Sequence, residues 1–262
     1  MDLATIHRGD SPLVIDVPHA GLHVPDEIAS RLSPQARALP DTDWHVEKLY
    51  AFARVVGATL VAATHSRYVV DLNRPPSGEA LYAGADNTEL CPTRTFASER
   101  IYVDAGLRDD EIASRRTRYF EPYHSTLAAE IERVRARHAH AVLLDGHSIR
   151  AEVPRFFAGR LPDLNLGTVD GASCAPAVQT LAATTIAAAR GFGHVVNGRF
   201  KGGYVTRRYG EPGRGVHALQ LEIAQACYMD EASPAKFDEA RAAPLIRVLR
   251  ELVDALMQWQ PR

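Results

Sequence analysis

A chain of 262 residues with 46% apolar and 24% charged residues is ordinary for a soluble globular protein, and residues 1–262 fit one α/β domain better than two. Its formal net charge of −2, with no lysine/arginine block, leaves no footprint for nucleic acid or an anionic membrane, so any anion binding has to be local. Cys91, Cys174 and Cys227 are odd in number and widely spaced, which argues against a disulfide framework and against a thiolate zinc site. The amino terminus lacks a basic segment followed by a long apolar one, so the expected location is the cytoplasm.

Taken in order, Leu13–Val17 reads as a strand that runs into Pro18, His19, Ala20 and Gly21. Prolines 25, 34 and 40 limit the next stretch to short helical pieces. Asp41, Thr42 and Asp43 precede a helical stripe of Trp44, Leu49, Phe52 and Val56 that stops at Gly57, which makes an aspartate or threonine N-cap the plain explanation for them. Thr59–Ala63 is a predicted strand, and Arg67–Leu72 a second one that turns charged at Asp71, Asn73 and Arg74. From Pro75 to Arg100 no periodicity is visible, including Ala83–Asn87, and such a long irregular stretch is more often a functional loop than spare connector. A charged helix is expected from about Asp109 to His138, kinked at Pro122.

Ala141–Arg150, AVLLDGHSIR, is too short to span a membrane and reads as a buried strand ending in Asp145, Gly146, His147 and Ser148. Residues 150 to 168 again look irregular, a helix follows from about Ala175 to Arg190, and His194–Val196 is a short strand. The glycine-rich turn Asn197–Tyr204 lacks the spacing of a phosphate-binding loop. Arg207 and Arg208 come next, then the strand His217–Ile223 containing Glu222, and a helix from about Pro234 to Gln258. Alternating strands and helices predict a mixed, mostly parallel sheet flanked by helices.

Sites in open α/β sheets lie at the carboxyl ends of strands, and there this chain places two histidines, a glutamate and several arginines. That is the composition of a metal-assisted hydrolytic centre with a grip for an anionic substrate. His19 and His147 are candidate ligands, and a third comes from Asp43, Glu27, Asp41 or His23, with Asp43 favoured. Glu222 sits among Leu219, Leu221 and Ile223, where burial would raise its pKa and suit it to proton transfer; a buried ion pair with an arginine is its plain alternative. Arg67, Arg74, Arg207 and Arg208 could each hold a carboxylate bidentately. A serine hydrolase built on Ser148 is disfavoured because no Gly-x-Ser-x-Gly elbow surrounds it.

PHAG at Pro18–Gly21, DTDW at Asp41–Trp44, SRYVVDLNRP at Ser66–Pro75, LCPT at Leu90–Thr93, PYH at Pro122–His124, DGHS at Asp145–Ser148, NGRFKGGY at Asn197–Tyr204 and LQLEI at Leu219–Ile223 together resemble the N-formylglutamate amidohydrolases. The resemblance implies hydrolysis of N-formyl-L-glutamate to formate and L-glutamate in histidine degradation, and a fold related to zinc carboxypeptidases and aspartoacylases. It further implies that His19 and His147 bind Zn2+ or another divalent cation, with Asp43 taking the place of the glutamate that a His-x-x-Glu pairing would put at Leu22. Arg67 would polarise the scissile carbonyl, Asn73 and Arg74 would hold the α-carboxylate, Glu222 would be the general base, and Arg207 or Arg208 would grip the γ-carboxylate. The partner expected is therefore a small acidic N-acyl amino acid. A deacylase of another such substrate, or a non-catalytic protein that binds one, are the alternative readings.

Overall fold

Apolar runs too short for helices pair into one seven-stranded mixed sheet, seen in a computed structural model that describes residues 1–81, 84 and 86–261. The strands are β1 (Ala4–His7), β2 (Leu13–Val17), β3 (Thr59–Ala63), β4 (Ala141–Ile149), β5 (Leu164–Gly167), β6 (His194–Val196) and β7 (Val216–Ala224), in the spatial order β1-β3-β2-β4-β7-β5-β6. Pairings β2/β3, β2/β4, β4/β7 and β5/β6 are parallel; β1/β3 and β5/β7 are antiparallel. The chain leaves β2 toward β3 and later returns to the other side of β2 as β4, so the sheet changes direction between β2 and β4. A crevice opens at the carboxyl ends of strands at such a point.

Eight α-helices accompany the sheet among the described residues: α1 (Asp26–Ala29), α2 (Val46–Leu49), α3 (Ala53–Val56), α4 (Asp109–Arg115), α5 (Glu121–His138), α6 (Pro176–Ala187), α7 (Tyr204–Tyr209) and α8 (Glu239–Gln258). Strand side chains alternate between two layers. On one face Ile15, Leu144 and Leu221 pack with Leu49, Val178, Leu249 and Leu252, from α2, α6 and α8. On the other, Val14, Leu143 and Ala218 pack with Tyr123, Leu127 and Ile131 of α5 and with the segment around Tyr68. None of the described helices is long and apolar enough to cross a membrane.

Four expectations are corrected. Arg67–Leu72 is not a strand: Ser66 O accepts from Val69 N at 2.9 Å and Ser66 Oγ from Tyr68 N at 3.2 Å, closing a turn. Its carbonyls at Tyr68 and Val69 accept from the buried Arg115 guanidinium instead of from a neighbouring strand. Pro122 does not kink the long helix, because it lies in the first turn of α5, where a missing N–H costs nothing. The irregularity precedes it, as a π-helical segment Arg116–Phe120. Residues 164–167, expected to be irregular, form β5, which runs antiparallel to β7. Finally, Asp41 and Asp43 cap no helix; α2 and α3 are separate single turns, and the residue before α2 is His45 in a left-handed conformation. Ala83 and Ala85 of the long loop lie outside the described residues.

Candidate metal centre and active site

Register decides which side chains meet. Asp16 of β2 lies opposite Asp145 of β4, Asp145 opposite Gln220 of β7, and His147 opposite Glu222. Alternation puts all five on the layer of Val14, Leu143 and Ala218, so this face turns from apolar to acidic toward the strands' carboxyl ends. Paired strands lie about 4.8 Å apart, so His147 and Glu222 stand side by side.

His19 follows β2 by two residues, and its ring centroid lies 4.9 Å from that of His147. Asp43 reaches the same point from the segment before α2: its N–H donates to His19 O at 3.1 Å, and its Oδ2 accepts from Ser148 N at 3.0 Å. One ligand atom from each of His19, Asp43 and His147 falls within 4.8 Å of the others, and all three residues are buried. The remaining candidates are elsewhere engaged. Asp41 accepts from Tyr68 Oη at 2.7 Å and Phe96 N at 2.9 Å, Glu27 is an exposed partner of Arg118, and His23 packs edge-on against His65.

Each imidazole turns Nδ1 toward Asp43 and keeps a carboxylate behind Nε2. His19 Nε2 is 2.8 Å from Asp71 Oδ1, and His147 Nε2 is 2.8 Å from Asp145 Oδ1. Such a carboxylate sets the tautomer and the ring plane, and leaves the other nitrogen's lone pair for a cation. His19 Nδ1 is buried without a hydrogen-bond partner. Asp43, Asp71 and Asp145 are buried in the same centre, together with the buried guanidinium of Arg67. Two imidazole nitrogens, a carboxylate oxygen, an orphaned lone pair and surplus buried negative charge fit a divalent ion such as Zn2+.

The same charges set protonation. Burial and the nearby Arg67 lower the His19 pKa, which keeps that imidazole neutral. Burial works against a charged His147, but Asp145 and Asp43 outweigh it and raise its pKa well above the usual range. Burial pushes the Glu222 carboxyl up to about 8, against the pull of His147. Among the described residues no salt bridge reaches Glu222, which sets aside its ion-pair alternative; Gln220 Nε2 lies 3.4 Å from its Oε2. A cation entering this centre has to displace the proton on His147, so its affinity should rise with pH. About a tenfold gain per pH unit is expected for one displaced proton over roughly pH 6 to 8. Chelator-competition titrations check this, and an affinity flat in pH would contradict it.

Arg67 donates to Asp71 Oδ2 at 2.7 Å and lies with its guanidinium carbon 4.9 Å from the centre of the Phe96 ring. Asn73 reaches the cavity with its amide already engaged: Oδ1 accepts from Val205 N at 2.7 Å, and Nδ2 lies 2.8 Å from His147 Nε2. Gly203 makes this possible, since a Cβ there would stand 2.3 Å from Asn73 Nδ2. Arg74 is fixed by Thr88 Oγ1 at 2.8 Å and its neighbour's carbonyl, Asn73 O, at 2.9 Å. One cavity is lined by His19, Asp43, Arg67, Asn73, Arg74, His147 and Glu222. Arg207 and Arg208 are not in its wall; they are exposed on α7, which buries Val205 and Thr206 instead. Ser148 Oγ accepts from Tyr228 Oη at 2.7 Å, and among the described residues no histidine is bonded to it.

Sequence reasoning missed the roles of Asp71 and Asp145 behind the rings, although both sit inside motifs it quoted, DLNR and DGHS. It also missed Arg199, which lines the cavity with Phe156 and Phe200 and belongs to the NGRFKGGY segment.

Comparison with known proteins places the chain in a family. The profile of the N-formylglutamate amidohydrolase family matches residues 11–229. An N-formylglutamate deformylase of Pseudomonas putida is 47% identical over 259 residues, covering 97% of this chain and 96% of its own length. The enzyme of the same name from Pseudomonas aeruginosa is 46% identical over 262 residues, covering 98% and 97%. Among solved structures, an N-formylglutamate amidohydrolase from Ralstonia eutropha superposes with a TM-score of 0.82 at 27% identity, covering 97% of this chain and 98% of that one. A gene product of Agrobacterium tumefaciens, at TM-score 0.73 and 17% identity, shares the fold. The chain belongs to the N-formylglutamate amidohydrolase family.

Proposed function

We propose that residues 1–262 form one catalytic domain that hydrolyses N-formyl-L-glutamate to formate and L-glutamate with the help of a divalent cation, zinc by the chemistry of its donors. The observation that carries this is the meeting, in one cavity of a family member, of the His19–Asp43–His147 cluster with the buried Glu222. Its relatives are named for deformylation of that substrate. A working place in histidine breakdown, in the cytoplasm, and kinship with zinc carboxypeptidases and aspartoacylases belong to the same reading.

When bound, the cation supplies Lewis acidity at the formyl oxygen and makes hydroxide accessible at neutral pH. His19 and His147, each backed by a carboxylate, and Asp43 would hold it. Glu222 takes the proton of the attacking water, whose oxygen bonds to the formyl carbon, and passes that proton to the nitrogen as the carbon–nitrogen bond breaks. Arg67, already oriented by Asp71, places fixed positive charge where the oxyanion develops, without reorganisation during the step. Arg74 holds the α-carboxylate, and Asn73, bonded to the first turn of α7, keeps His147 in place beside it.

Formate release should be fastest from N-formyl-L-glutamate. N-formyl-L-aspartate, one methylene shorter, is expected to lose about 10- to 200-fold in kcat/KM. N-acetyl-L-glutamate, assayed by glutamate release, should also lag. Equal rates on all three substrates would contradict a site tuned to formylglutamate.

A further inference from the structure

We infer that Arg199 is the specificity-determining residue that pairs with the side-chain carboxylate of the substrate, a role the sequence assigned to Arg207 or Arg208; this rests on the function proposed above. A substrate with two carboxylates is well matched by two guanidinium groups at the cavity wall. Three arginines line that wall. Arg67 is committed to Asp71 and lies 3.5 Å from Asp43 Oδ1. Arg74 adjoins Asn73 and is taken by the α-carboxylate. Arg199 is the third, and it comes from a separate segment, the turn between β6 and α7.

Its setting is that of a gripping residue. The Nε–H donates to Phe156 O at 2.7 Å, which fixes the plane of the guanidinium. The Phe200 ring lies 5.6 Å from its carbon, and Phe156 and Phe200 also line the cavity. Both rings pack on a small apolar cluster of Ile149, Val153 and Leu161. A half-buried arginine set against an aromatic ring pairs with a carboxylate more strongly than one in open water, because the surroundings screen less. Arg207 and Arg208, by contrast, are exposed on α7, with Arg207 Nε donating to Gly202 O at 3.0 Å.

The alternative is structural: through Phe156 O, Arg199 would only clasp the 150–157 segment to its own turn. Substrate discrimination separates the two. For the unsubstituted protein, kcat/KM for N-formyl-L-glutamate should exceed that for its neutral isostere N-formyl-L-glutamine by about 10²-fold or more. In Arg199→Gln and Arg199→Ala that ratio should collapse toward one, through loss on the glutamate substrate and mainly in KM, while turnover of the glutamine substrate persists. Arg199→Lys should recover part of it. An equal loss on both substrates, or an unchanged ratio in a variant with a native circular dichroism spectrum, overturns the assignment and leaves the deformylase reading standing. A ratio that collapses in Arg207→Ala but not in the Arg199 variants also overturns it. No formate from either substrate in the unsubstituted protein would remove the parent reading, and this inference with it.

Discussion

Replacing Glu222 by Gln should lower kcat for formate release by about 10³-fold, within the range expected when a general acid–base group is removed. The amide keeps the shape of the carboxyl and can still accept from Gln220, so the fold, the substrate's KM and the metal content should stay close to those of the unsubstituted protein. Only the capacity to carry a proton is lost. The pH profile supplies an independent reading. Burial holds the carboxyl up to about 8 before a cation enters, and a neighbouring dication can only bring it down. Activity should therefore fall as pH drops through the pKa of the loaded site, where Glu222 takes up its proton and can no longer accept one. That acid limb should be missing from the residual activity of Glu222→Gln. A variant that keeps kcat within about threefold would assign the proton transfer to another group.

The second large effect is expected from Asp43→Ala. Asp43 Oδ2 is 2.9 Å from His147 Nδ1, and Asp43 Oδ1 is 3.5 Å from Arg67. Removing it deletes one ligand and the acceptor that Ser148 N uses. The cation should be lost at ordinary concentrations, and kcat/KM should fall by about 10³-fold or more, because proton transfer and carbonyl polarisation both depend on what the cluster holds. Asp43→Asn separates ligation from packing: it preserves volume and an acceptor oxygen, so it should fold normally and still bind metal poorly. Metal content after gel filtration, measured beside the melting temperature, checks both variants. Full metal occupancy in Asp43→Ala would transfer the third ligand to another residue.

Much of this was legible in the chain because the cue is local. Apolar runs ending in DGHS and LEI show where β4 and β7 deliver His147 and Glu222, and the parallel register then aligns the two. What brings Asp43 in is not local. It lies 104 residues from His147, and nothing around it distinguishes a ligand from a helix cap. Arg67–Leu72 misled because Tyr68, Val69 and Val70 have strand-forming side chains, whereas the chain there is buried among loops and α5 and spends its backbone bonds on a turn and on Arg115. For Arg207 and Arg208 the deciding factor is helix geometry. Adjacent residues on a helix point about 100° apart, so once Val205 and Thr206 face inward the two arginines face solvent. Arg199 was hidden because a glycine-rich turn can aim a side chain in many directions, and its direction is fixed by a bond to Phe156 O, far away in the chain.

That these scattered residues hold one catalytic cation is tested most directly by metal analysis coupled to formate release. Purified protein is assayed as isolated, after exhaustive chelation, and after zinc is returned, with Asp43→Ala alongside. The expected result is activity that vanishes with the metal and returns at one ion per chain, with no return in the variant. Full turnover of N-formyl-L-glutamate by metal-free protein would contradict it.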